Sequence, residues 1–497
     1  MKKIKIITFF LIVLSVCLIF TACSAKNNTG DTKDTDVGGS ENPAGDTTEP
    51  AETPTELRDS LPDGLDFGGD NVNIYVREAS GDSYMEFGVE SENGDIVNDV
   101  IYRRNKTVEE RLNVNINVIP GPGWNNYTRA LNNIRASVLA GDQTYGIIAG
   151  YTAYIPALSA EGLFFNLHDL PYIELSKPWW NQSIKEDLTI AGKLDFIAGD
   201  INFTMLGNCL IVYENAKIRQ NLGLSNIYDV VFDGKWTLDY MHNLVKDTYQ
   251  DLNGNSKKDK DDFYGASWAI LNLSDAFLGA SDIKMTKKDE NGLPYFDTDY
   301  EKLSALVDKV YNFYYASEGV FATDEGSTIE KFRNDQTYLA SGYLCYAYDH
   351  FRDMQSEYSI IPYPKYDEKQ EKYLTNVQDG MSILCIPMNS DKTEMSGAFL
   401  EAMAYESYKT VSPEYFNVAM KVKYARDETS AKMLDIIREG INLNFAYVYN
   451  YSIGSPWAVM RDLILKKSGD FASWYDKNEP KIQLAIEKLI KKMEESK

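Results

Sequence analysis

Histidine is nearly absent from this chain: His168, His242 and His350 are the only three in 497 residues. None has a partner at metal-ligating or catalytic spacing, and there is no HExxH, GxSxG, GxxxxGK[ST] or GxGxxG stretch. The absence excludes the common metalloprotease, serine-hydrolase, nucleotide-hydrolysing and dinucleotide-binding designs. Each histidine reads as a cap or surface residue, and no organic cofactor is expected. Cysteine is scarce too. Of five, Cys17 and Cys23 lie at the extreme N-terminus, which leaves Cys209, Cys345 and Cys385 with no CxxC spacing. That odd set is either one disulfide with a spare thiol or three small buried thiols, and it offers no metal cluster. Basic charge is in deficit: 50 Lys and Arg against 74 Asp and Glu give a net charge of −24. A field of that sign repels nucleic acid and anionic lipid, so neither is expected as a partner. Among so many carboxylates a pair suited to glycoside hydrolysis can always be found, so such a pair carries no information. No internal repeat is present.

What is there begins at the N-terminus. Lys2, Lys3 and Lys5 precede an almost wholly apolar run, Ile6 to Phe20, followed by Thr21-Ala22-Cys23. A basic head, a short apolar run and a small-residue cut form an export signal, and the run is short for a membrane span. With Phe20 where Leu is usual, the segment resembles the lipobox of bacterial lipoproteins. That likeness implies that Cys23 takes a diacylglycerol and becomes the lipid-anchored mature N-terminus. An ordinary secretory signal and a retained membrane helix are the alternatives. Ser24 to about Arg58 is rich in Thr, Asp, Glu, Pro and Gly and has no aromatic residue. Such a segment cannot bury enough apolar surface to order itself and reads as a tether. The expected location is the outer face of a cell membrane.

Beyond the tether the pattern changes. Val72, Ile74 and Val76 alternate as a strand. Asp95 to Leu112 carries apolar residues on one helical face, with Asp95 placed to cap it. Val114, Ile116 and Val118 alternate again, a helix is expected from about Tyr127 to Leu139, and an apolar run at Gly146–Gly150 ends in Tyr151-Thr152-Ala153-Tyr154. Strand–helix alternation of this kind predicts an α/β domain with a mainly parallel sheet, whose ligands sit beyond the carboxyl ends of the strands. Asn202-Phe203-Thr204 and Leu210–Tyr213 read as further strands, and helices are expected over Thr237–Tyr249, Asp299–Ala316, Ser396–Tyr408 and most of the last ninety residues. About 440 residues after signal and tether are too many for one core, so two lobes are expected.

Several stretches share one likeness: the lipobox, GDIVNDVIYRRNKTVEERLNV (94–114), IIAGYTAYIPALSAEGLFFNLHDLPY (147–172), KPWWNQ (177–182), DGKWTLDYM (233–241), IIPYPKYDEKQEKY (360–373) and EAMAYESYK (401–409). Together they resemble the extracellular solute-binding lipoproteins of bacterial ABC importers, in the carbohydrate-associated family 1 group. The resemblance implies an α/β, two-lobed, periplasmic-binding-protein-like (type II) clamshell with hinge crossings near Gly199-Asp200, Gly342–Tyr346 and Glu406–Tyr408. It gives the expected division: signal 1–22, lipidated cysteine and tether 23–60, lobe 1 from 61–199 plus 346–406, lobe 2 from 200–345 plus 407–497. It also implies the function: capture of a solute, with an oligosaccharide as the expected cargo, by hinge closure and delivery to ABC permease subunits. A ligand-sensing lipoprotein serving a receptor is the alternative, and a secreted glycan-active enzyme a more distant one.

Two sets of side chains carry the chemistry. In Asp251-Leu-Asn253-Gly-Asn255-Ser-Lys257-Lys-Asp259-Lys-Asp261-Asp262 the oxygen donors Asp251, Asn253, Asn255, Asp259 and Asp262, with the Lys257 carbonyl, fall in EF-hand order. Similar loops in oligosaccharide-binding members of the family point to a structural Ca2+; a plain polar turn is the other reading. For the ligand, aromatic plates and polar hydrogen bonders are sought at strand ends and crossings: Tyr151, Tyr154, Asp200, Asn202, Trp268, Tyr348, Asp349 and Trp457. Trp179 and Trp180 are expected to pack internally.

Overall fold

The computed structural model describes residues 57–78, 81–420 and 428–495. The export signal, Cys23 and nearly all of the tether lie outside the described residues. Among the described residues no helix is long and apolar enough to cross a membrane.

The described residues form twelve strands in chain order: β1 (Asp70–Arg77), β2 (Val114–Gly121), β3 (Ile147–Tyr151), β4 (Leu210–Asn215), β5 (Tyr249–Gln250), β6 (Phe263–Ala269), β7 (Thr286–Lys288), β8 (Pro294–Phe296), β9 (Val320–Thr323), β10 (Thr337–Tyr343), β11 (Tyr358–Pro362) and β12 (Ser382–Cys385). They form two main sheets, one per lobe. The first runs β12-β3-β1-β2, with β1 parallel to both β2 and β3 and β12 antiparallel on the edge. The second runs β11-β4-β10-β6-β5, with β9 also on β6; β7 and β8 make a separate hairpin.

Val72, Ile74, Tyr75 and Val76 are wholly buried, as expected for a parallel strand covered on both faces. The helix Ile96–Leu112 starts where the sequence placed it: Asp95 accepts from the Val97 and Asn98 amides at 3.0 and 3.1 Å. It stops at Asn113, which takes a left-handed conformation. Tyr127–Ala140 and Tyr300–Tyr315 also match their expected spans.

Two crossings join the lobes side by side. Cys209 pairs antiparallel with Val377, the Leu210 amide donates to the Asn376 carbonyl at 2.8 Å, and the Gln378 amide donates to the Asn208 carbonyl at 2.9 Å. The first crossing lies at 208–210, some ten residues beyond Gly199-Asp200, because Phe203–Gly207 is a short helix packed on lobe 1 and not a strand. A brief apolar run does not distinguish the two, and here the chain must turn within a few residues. The return crossing lies at 375–381 and not near 342–346, because β11 pairs with β4 in the second sheet. Residues from Tyr346 to Pro362 therefore belong to lobe 2. The third passage also moves: the 412–420 helix still packs on the 96–112 helix of lobe 1, whereas the 428–439 helix packs on β11.

Residues 57–61 are strapped to lobe 1. Arg111 donates to both Asp59 oxygens at 2.5 and 2.8 Å, Ser60 Oγ donates to Glu174 at 2.6 Å, and Tyr405 donates to the Leu57 carbonyl at 3.3 Å. Leu61 is buried beneath them.

Candidate functional site

Because β1, β2 and β3 run parallel, their carboxyl ends deliver three segments to one edge of lobe 1: Arg77, the Gly121–Trp124 turn and Tyr151–Tyr154. Four aromatic rings gather there. Tyr151 and Tyr154 stack at 5.0 Å with planes 9° apart; Trp124 lies 5.5 Å from Tyr151, Tyr127 lies 5.6 Å from Tyr154, and Trp124 and Tyr127 are 5.9 Å apart. The Arg77 guanidinium sits 4.1 Å over the Tyr151 ring. Tyr151 and Tyr154 thus have their faces covered by neighbours and are buried. Trp124 and Tyr127 are 49% and 44% exposed and have ring surface to offer.

The return crossing passes beside this platform. Thr152 Oγ1 donates to the Met381 carbonyl at 2.9 Å. Asp379 accepts from the Tyr451 hydroxyl at 2.9 Å. Burial raises the Asp379 carboxyl above its ordinary range, and burial followed by the Asp379 charge raises the Tyr151 phenol. Behind Tyr451, Arg461 pairs with Asp275 at 3.0 Å, joining the 459–465 helix to the 271–280 helix of lobe 2. Aromatic faces on one side and acids with hydroxyl and guanidinium donors on the other can hold a ligand with apolar C–H faces and many hydroxyls.

Of the residues expected from sequence, Tyr151 and Tyr154 come together here. Trp457 is buried on the lobe 2 side, edge-on to Tyr447 at 5.4 Å, with its amide held by Asn450 Oδ1 at 2.9 Å. Asp200 and Asn202 lie inside the joint, not in the cleft. Asp200 pairs with Arg438 at 2.6 Å and accepts from Ser412 Oγ at 2.5 Å, and Asn202 is fully buried with Oδ1 accepting from the Gly199 amide at 3.3 Å. Trp268 is core: it has no exposed surface and packs among Phe277, Phe313 and Tyr363 at 5.6, 5.2 and 5.5 Å. Tyr348 makes a lobe-to-lobe contact, its hydroxyl donating to Asp95; Asp349 beside it is exposed. Trp179 and Trp180 are internal as expected, both indoles donating to Glu401, at 3.1 and 2.9 Å. The imidazole Nε2 atoms of His168 and His242 lie 2.9 and 2.7 Å from the Thr189 and Ser317 hydroxyls. Cys209, Cys345 and Cys385 are free thiols.

Trp124, Tyr127, Arg77, Asp379 and Tyr451 were not anticipated. Gly121-Pro-Gly-Trp124 ends a strand just as Tyr151 does, so the rule that selected one could have selected the other.

The 251–262 loop turns as its spacing suggests. Asp251 accepts from the Gly254 and Ser256 amides at 2.7 and 2.8 Å, Asn253 from Asn255 at 3.0 Å, and Asn255 from Lys257 at 2.7 Å. Ser256 adopts φ 59°, the left-handed backbone usually given to glycine at this place. Lys331, lowered to about 8 by burial, donates to the Lys260 and Asp262 carbonyls, both at 2.7 Å, and fastens the loop to lobe 2. Among the described residues no group of three or more His, Cys, Asp or Glu side chains is gathered to hold a metal ion. Instead Asn255 Nδ2 occupies Asp259 at 2.7 Å.

No protein-family model and no curated protein matches the sequence. Solved structures do match in shape. The maltose/maltodextrin-binding domain MalE of Bdellovibrio bacteriovorus, bound to maltotriose, superposes with TM-score 0.51 at 12% identity, over 85% of this chain and 100% of that one. The GacH receptor of Streptomyces glaucescens GLA.O, solved unliganded and with acarbose, gives 0.52 at 10% identity over 85% and 99%. The galacto-N-biose-/lacto-N-biose I-binding protein of an ABC transporter from Bifidobacterium longum gives 0.51 at 12% over 86% and 98%. At these identities the likeness is one of fold: the chain has the two-lobed α/β architecture of ABC-transporter solute-binding proteins.

Proposed function

We propose that the protein is a solute-binding lipoprotein of the carbohydrate-associated family 1 group. It is anchored through Cys23 at the outer face of the cell membrane, and it captures an oligosaccharide between its lobes for delivery to an ABC permease. The observation that carries this reading is the four-ring platform of Trp124, Tyr127, Tyr151 and Tyr154 at the carboxyl ends of the lobe 1 strands, with Asp379 and Tyr451 beside it. The neighbours in fold support the same cargo class, since their structures hold maltotriose, acarbose and lacto-N-biose.

Capture works by hinge closure. A sugar that touches both lobes favours the closed arrangement, and shifting the lobes from 1:99 to 99:1 takes about a 10⁴-fold preference, ~5.5 kcal/mol. Thermal-shift screening against oligosaccharides and peptides tests the cargo, because a ligand of the folded state raises the melting temperature by mass action. Oligosaccharides that shift it, with no reducing ends released, support the reading. A shift by peptides alone, or release of reducing ends over time, overturns it.

The reading includes a structural Ca2+ in the 251–262 loop, held by Asp251, Asn253, Asn255, Asp259, Asp262 and the Lys257 carbonyl. The amide pattern and the Ser256 backbone favour it; the present side-chain positions leave Asp259 occupied by Asn255. With a dissociation constant of about 10⁻⁴ to 10⁻³ M, 10 mM Ca2+ would stabilise stripped protein by about 1.4–2.7 kcal/mol. No change in melting temperature removes the ion from the proposal.

A further inference from the structure

The backbone is strained where β1 ends. Glu78 follows Arg77 at the carboxyl end of the strand and holds φ at 61°, a left-handed conformation that glycine and asparagine adopt readily and glutamate does not. Its amide donates to the Gly121 carbonyl at 2.9 Å, one residue beyond the last paired position of β1 on β2. Strain of this kind concentrates at binding and catalytic positions, where the direction of a side chain is what the fold preserves.

Here the direction is toward the Gly121–Trp124 turn. The carboxylate lies against Gly123: a methyl group on that glycine would sit 1.7 Å from Glu78 Oε1 and 2.4 Å from the carboxyl carbon. Gly123 has φ −81°, which any residue adopts, so the glycine supplies room for this carboxylate and not backbone freedom. The next residue is Trp124, whose half-exposed ring is the outer member of the platform. A carboxylate and an accessible aromatic face therefore stand side by side at one strand edge. The Glu78 side chain is exposed, and among the described residues it makes no hydrogen bond and no ion pair. Its neighbour Arg77 is turned onto the Tyr151 ring, at 4.1 Å, and gives Nε to Ser83 Oγ at 2.6 Å.

We propose that Glu78 is a binding residue that sets the specificity of the platform: it accepts two neighbouring hydroxyls of a pyranose ring whose C–H face lies on Trp124. An ionised carboxylate has two acceptor oxygens and no donor, so it matches a pair of hydroxyls on adjacent ring carbons, and bonds to a charged acceptor are the stronger ones. The indole supplies the flat apolar contact. The cargo class is thereby narrowed to oligosaccharides with a pyranose unit whose adjacent hydroxyls are free. The assignment rests on the oligosaccharide reading above.

The test is titration calorimetry of the parent and variants with maltotriose, cellotriose, xylotriose and lacto-N-biose, with melting temperatures measured alongside. Glu78→Gln, which keeps the size and replaces one acceptor oxygen by a donor, should weaken binding of the preferred sugar about 10- to 100-fold. Gly123→Ala, which displaces the carboxylate, should cause a loss of the same order. The double variant should be no weaker than Glu78→Gln alone, because both changes act on one contact. Glu78→Asn suits the left-handed backbone but is shorter, so it should lose affinity while its melting temperature stays level or rises. Unchanged affinity in Glu78→Gln, additive losses in the double variant, or losses that follow a fall in melting temperature in every variant overturn the assignment and leave the cargo reading standing. A parent protein that binds none of the four sugars overturns both.

Discussion

The protein holds two aromatic clusters of similar size in opposite settings. In lobe 2, Trp268, Phe277, Phe313 and Tyr363 are buried, with Trp268 stacked on Phe277 at 20° and edge to face with Phe313 and Tyr363. In lobe 1, Trp124, Tyr127, Tyr151 and Tyr154 pack with smaller angles and leave their outer members half exposed. Composition does not separate them. What does is the place on the strand: Trp268 sits within β6 between β10 and β9, whereas in lobe 1 Tyr151 is the last residue of β3 and Trp124, Tyr127 and Tyr154 lie beyond the carboxyl ends of β2 and β3, where the backbone leaves the sheet. Rings in the first setting stabilise a fold; in the second, Trp124 and Tyr127 keep exposed ring surface.

That contrast can be broken by mutation. Trp268→Ala should have the largest effect, a loss of about 3–5 kcal/mol of stability from transfer and cavity together, measured by denaturant or thermal unfolding. Trp124→Ala should instead weaken oligosaccharide binding about 10- to 100-fold, ~1.4–2.7 kcal/mol by titration calorimetry. Tyr451→Phe, which removes the donor to Asp379, should weaken binding by about 1 kcal/mol. The smallest effect sharpens the comparison most. Trp124→Ala should change unfolding stability by no more than about 0.5 kcal/mol. A stability loss at Trp124 as large as that at Trp268 would erase the distinction between the clusters.

The local grammar was readable in advance. Asp95 announced its helix, β1 to β3 announced a parallel sheet, and Tyr151 announced a strand end. Long-range partners were not. Asp200 looks like any polar residue at a crossing until Ser412 and Arg438 arrive from far along the chain. Tyr358–Pro362 is not picked out as a strand from sequence, and nothing in it says that it pairs with β4, so the return crossing was placed some thirty residues early by its omission. Trp268 shows the same limit from the other side: a tryptophan after a polar loop gives no local sign of Phe313 and Tyr363 closing over it.

The strap at residues 57–61 has a mechanical meaning. Were the chain anchored upstream as proposed, a pull arriving at Leu57 would meet Arg111 and Glu174, both in lobe 1, before it reached Cys209 or Val377. The load would then be grounded in one half, and the gap between the halves would be spared it.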